Sequence, residues 1–68
     1  MTQKERVRQY INDFGSISTL EAFRDLGITR LSARIFDIQR EGVSVKRTTE
    51  VAKNRYGEIT HFTRYTID

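Results

Sequence analysis

The sequence predicts an α+β fold in which three helices precede a two-stranded β-hairpin. Two observations carry that expectation. Up to Gly42 the apolar residues recur at i, i+3, i+4 and i+7, the spacing of one helical face; beyond it they recur at every second position, as in a half-buried strand. Gly15, Gly27, Gly42 and Gly57, with no proline anywhere, each follow or interrupt one of these periodic segments, where helix ends and reversals fall.

The first helix is expected over about residues 2–14. Thr2 and Glu5 have the spacing of a capping box. Val7, Tyr10, Ile11 and Phe14 form its inward stripe, and Lys4, Arg6 and Arg8 point elsewhere. A second helix is expected over about 19–26, opened by the capping box Ser18/Glu21, with Leu20, Phe23 and Leu26 as its buried stripe. Ile17, just before that cap, serves either as a hydrophobic staple to Ala22 or as a single β-bridge residue to a later strand. Gly27 ends the helix, Ile28 plugs the core beneath the turn, and Thr29 caps a third helix over about 29–41. Leu31, Ile35 and Ile38 are the inward face of that helix. Thr29, Arg30, Ala33, Phe36, Asp37 and Arg40 lie opposite, with Ser32 and Arg34 on the flanks.

Strands are expected near 43–53 and 58–67, joined through the turn signal Asn54-Arg55-Tyr56-Gly57. Val43, Val45, Val51, Ile59, Tyr65 and Ile67 share odd parity. A three-residue loop with a glycine bulge pairs odd with odd, placing all of them on one face against the helices. Phe62 has even parity, so it covers the hairpin edge or stands exposed. Phe36 has two readings: it packs under the hairpin, or it makes an apolar contact to a thymine methyl or a protein partner.

The chain of 68 residues suffices for one small domain, residues 1–68. Without cysteine it has no disulfide or thiolate metal site. No apolar run approaches the roughly 20 residues of a membrane span. The stretch Met1 to Arg6 is too polar for a signal peptide, so a cytoplasmic location is expected. No enzyme, cofactor, metal site or small-molecule ligand is expected. His61 is the only histidine, the serines lack a nucleophile setting, no glycine-rich phosphate loop exists, and Asp13, Glu21, Asp25 and Asp37 lack ligand spacing.

Charge is unevenly placed. Residues 1–28 are balanced. Residues 29–56 carry seven cations (Arg30, Arg34, Arg40, Lys46, Arg47, Lys53, Arg55) against Asp37, Glu41 and Glu50, a net +4. Phosphate backbones attract such a segment. Two short helices joined by Leu26-Gly27-Ile28-Thr29 match a helix-turn-helix, whose second helix enters the major groove. With a basic hairpin tip following, the arrangement is a winged helix.

This geometry assigns candidate roles. Arg30, Ser32, Ala33 and Arg34, with Asp37 one turn on, are the expected base readers. Thr29, Arg40, Lys46, Lys53, Asn54 and Arg55 are the expected backbone contacts, with Arg8 a weaker one. Ser18, Thr19 and Thr29 stand at helix starts, where capping or phosphate contact is open to them. The run from Leu20 to Gly42, LEAFRDLGITRLSARIFDIQREG, resembles the short helix-turn-helix proteins of prophages and other mobile elements of Gram-positive bacteria. The resemblance implies a winged helix that binds double-stranded DNA as a transcriptional regulator or excision-type factor. Its members often carry a polar residue after the Ala-Arg-Ile step, where this chain has Phe36. The competing expectation is a winged helix that docks on a protein, such as a phage factor on a host protein. One module this small covers few base pairs, so a homo-oligomer or cooperative assembly on DNA is also expected.

Overall fold

Side-chain caps fix where the helices of this chain begin. In the computed structural model, which describes residues 1–67, α1 (Gln3–Phe14) starts at Thr2, whose Oγ1 accepts from the Glu5 N–H at 3.2 Å while Glu5 Oε1 accepts from the Thr2 N–H at 3.0 Å. α2 (Thr19–Leu26) repeats the device: Ser18 Oγ accepts from the Glu21 N–H at 3.1 Å and Glu21 Oε1 from the Ser18 N–H at 2.9 Å. Gly27 ends α2 at φ 68°, and the N–H groups of Gly27 and Ile28 reach the Phe23 and Ala22 carbonyls, each at 3.0 Å.

The third helix, α3 (Leu31–Arg40), starts later than the sequence indicates. Thr29 is not its cap; Arg30 holds that position, with no side-chain cap bond. The turn must bury Ile28 and then Leu31, 2% and 1% exposed, so the chain spends residues 27–30 on the reversal before helical geometry begins.

Ile17 and Ser18 form a short strand, β1 (Ile17–Ser18), beside the hairpin of β2 (Val45–Lys53) and β3 (Ile59–Ile67). The sheet is therefore three-stranded and antiparallel, in the order β1-β3-β2, rather than a two-stranded hairpin alone. Of the two readings of Ile17, strand pairing is realised, opposite Tyr65. The hairpin register is odd to odd as expected, from Val45↔Ile67 to Lys53↔Ile59. Its turn closes with Asn54 N–H donating to the Glu58 carbonyl at 2.9 Å and Gly57 N–H to the Asn54 carbonyl at 3.0 Å. Gly57 has φ 78°, the left-handed geometry that a glycine bulge supplies to a three-residue loop.

The core joins Val7 and Ile11 of α1, Ile17, Ala22, Ile28, the α3 stripe Leu31, Ile35 and Ile38, and Tyr65. Five expected apolar contacts fall outside it. Leu20 and Phe23 are 57% and 60% exposed, and the inward residues of α2 are Ala22 and the half-buried Leu26. The cause is the β1–β3 pairing, which fixes the path of the chain into α2 and aims Ala22 inward. Phe14 lies past the edge of the core, exposed against the Tyr10 ring at 4.7 Å between centroids. Of the odd-parity apolar residues expected inward, Val43, Val45, Tyr65 and Ile67 reach the core; Val51 and Ile59 are exposed. Strands of nine residues extend about 30 Å at 3.3 Å per residue, further than the helical layer covers, and the Cα extents are 39 × 22 × 20 Å. No helix among the described residues is long and apolar enough to cross a membrane.

Candidate nucleic-acid interface

Burying Leu31, Ile35 and Ile38 leaves α3 with two flanks and a front. The flank toward α1 is closed by its own polar contacts. Arg34 Nη1 donates to Gln3 Oε1 at 3.4 Å, Arg34 Nε stands 3.3 Å from Asp37 Oδ2, and Lys4 pairs with Glu41 at 2.9 Å. Arg34 and Asp37 thus line an open groove of about 660 Å³ against the first turn of α1. Two of the expected base readers are held there, to the side of the front. The opposite flank meets the sheet: Arg47 Nη2 donates to Gln39 Oε1 at 3.3 Å, with its guanidinium 5.6 Å from the Tyr65 ring centroid.

The front carries Ser32, Ala33, Phe36 and Arg40, with Thr29 and Arg30 exposed where the helix begins. Phe36 does not pack under the hairpin; it is 58% exposed, and the Arg40 guanidinium lies 5.9 Å from its ring centroid. The inward face of α3 is already filled by three aliphatic side chains, and the hairpin leaves the helix along the Gln39 flank, so nothing covers the ring.

At the far end of the hairpin, Lys53, Asn54, Arg55 and Tyr56 are exposed. Asn54 Oδ1 accepts from the Tyr56 and Glu58 N–H groups at 2.9 and 3.0 Å, which commits that oxygen to shaping the turn. Lys46 lies on the even face of β2, away from Arg47 and Lys53 on the odd face. Among the described residues, Arg30, Lys53 and Arg55 make no ion pair. Arg8 is exposed on α1. Ser18 is 1% exposed with its hydroxyl capping α2, and the Thr19 hydroxyl donates to the Thr63 carbonyl at 3.4 Å.

Two positioning cations have no local signal in the sequence. Arg47 fastens α3 to β2. Arg64 Nη1 donates to Glu21 Oε1 and Ser16 Oγ, both at 2.8 Å, and Arg64 Nε pairs with Glu50. That cluster ties the start of α2 to both long strands. Only the strand register, which sets Glu50 diagonal to Arg64 across β2 and β3, could have exposed it.

A helix-turn-helix whose second helix presents a free front, followed by a hairpin with a basic tip, defines the class of winged helix-turn-helix proteins, a design consistent with DNA binding. The chain belongs to the winged helix-turn-helix domain family, which matches it over residues 2–68. No curated protein and no solved structure matches it.

Proposed function

We propose that this chain is a double-stranded DNA-binding protein of the cytoplasm, a transcriptional regulator or excision-type factor of a phage or mobile element. α3 enters the major groove with Arg30, Ser32 and Ala33 toward base edges. Arg34 and Asp37 join them once Arg34 leaves Gln3. Arg40, Lys53 and Arg55 contact phosphates, the tip also reaching the minor groove. Thr29 and Asn54 are secondary backbone contacts; Lys46, on the even face of β2, faces away from this side and is left out. The observation that carries this reading is that Arg30 at the start of α3 and Lys53 and Arg55 at the hairpin tip are exposed and, among the described residues, make no ion pair. Because one module spans few base pairs, cooperative or homo-oligomeric assembly on DNA belongs to the same proposal.

A second reading, docking on a protein, has one observation in its favour. Leu20 and Phe23, both exposed, line an open groove of about 530 Å³ with Ala52 and Phe62. Binding to random-sequence duplex at two salt concentrations separates the two. Three phosphate contacts give a log–log slope near −2.7, so affinity is expected to fall about fortyfold between roughly 50 and 200 mM salt. Absence of binding at the lower salt overturns the DNA reading and leaves the docking one.

A further inference from the structure

Phe36 is an aromatic ring held in water at the middle of the front of α3. Its surroundings are small or polar: Ser32, Ala33 and Arg40, with the arginine stacked 5.9 Å from the ring centroid. Resting on the DNA-binding reading above, we propose that Phe36 is a specificity-determining residue that recognises thymine through its 5-methyl group in the major groove.

The chemistry fits one methyl better than a protein surface. Along the major groove the thymine C5 methyl is the apolar group that marks T·A pairs, and phenylalanine is a suitable partner for it. A protein-docking patch needs contiguous apolar area. On α3 the surroundings of Phe36 are small or polar, whereas the exposed Leu20 and Phe23 of α2 line one groove together with Phe62. The Arg40 guanidinium over the ring restricts the position of both side chains. It also presents a cation toward the phosphates while the ring meets the bases. Phe36 lies in the second turn of α3, one turn beyond Ser32, within the part of a recognition helix that reaches base edges.

Uracil differs from thymine at this edge by the methyl alone. The test compares a short alternating dA·dT duplex with its dA·dU counterpart at fixed low salt, for the wild-type chain and for Phe36→Ser. The wild type is expected to bind the thymine duplex about fourfold more tightly, the effect of one buried methyl. Phe36→Ser is expected to bind the two alike while keeping the wild-type salt dependence. Its melting temperature should be unchanged, because the ring is exposed. Equal affinity of the wild type for both duplexes overturns the proposal and leaves DNA binding standing. A thymine preference that survives Phe36→Ser also overturns it, since that preference then comes from another contact, such as Ala33, or from duplex shape. Failure of the wild type to bind either duplex removes the DNA reading itself. Phe36→Leu, which keeps an apolar tip, is expected to retain part of the preference, so the test does not depend on one variant.

Discussion

Asp25 receives two donors from different helices. Tyr10 Oη of α1 donates to its Oδ2 at 2.6 Å and the neighbouring Arg24 Nε to its Oδ1 at 2.9 Å. The Arg24 bond foremost, and the Tyr10 bond after it, hold the carboxyl at about 2, below its ordinary 3.8. Glu21 moves the same way. Burial pushes it up, but the Ser18 backbone N–H and Arg64 outweigh that and leave it below the usual range. A carboxyl whose folded pKa is depressed binds fewer protons than it does in the unfolded chain. Its contribution is therefore complete above the ordinary value and is lost as pH falls through the folded one. For Asp25 that window runs from about pH 4 down to about 2. Urea midpoints across this range should fall steadily for the wild type. Asp25→Asn should be less stable at neutral pH and show a shallower decline below pH 4. An identical acid profile in the variant would remove Asp25 from the tie between α1 and α2.

At the scale of elements, the turn between α2 and α3 depends on one backbone conformation. Gly27 adopts φ 68°, and a Cβ built there meets nothing within 4 Å. Crowding is thus absent, and Gly27→Ala is penalised by conformation alone, about 1–2 kcal/mol for an L-residue in the left-handed region. Denaturant unfolding should show that loss, with the slope of the transition unchanged; equal midpoints would mean that the turn relaxes without cost. Such local features are legible in the sequence. Capping boxes, glycine ends and the odd parity of the strands are each decided within a few residues. Which face α2 buries is decided by Ile17 pairing with Tyr65, far along the chain, and the 3.6 period cannot distinguish Leu20 and Phe23 from Ala22 on a helix this short. The candidate interface divides the same way. The basic segment and the free tip are visible in the charge pattern. The engagement of Arg34 by Gln3, and of Arg64 by Glu21 and Glu50, needs partners from other elements.

For the whole molecule, the formal charge of +3 understates how the field is arranged. Lys4, Arg24, Arg34 and Arg64 each face a carboxylate, so their charge is largely cancelled nearby. Arg30 at the start of α3 and Lys53 and Arg55 at the hairpin tip are not cancelled in this way. The strand parity relates these regions. Arg47 touches Gln39 of α3 from the odd face of β2, and Lys53 has the same parity, so it leaves the same face about 20 Å further along at 3.3 Å per residue. A duplex lying along that side would meet α3 in its groove and the tip on its backbone. Backbone contacts act on every sequence alike and release counterions one by one. Replacing Lys53 and Arg55 together by alanine should therefore lower the log–log salt slope by about 1.8 and weaken random and selected duplexes by the same factor. Thermal stability should hold, because both side chains are exposed and make no ion pair among the described residues. Arg30→Ala should instead reduce discrimination among sequences by about 1–3 kcal/mol, the worth of a bidentate arginine–guanine contact. If the double variant keeps the wild-type slope, the hairpin tip is not on the phosphates, and the docked orientation with α3 and the tip on one duplex is wrong.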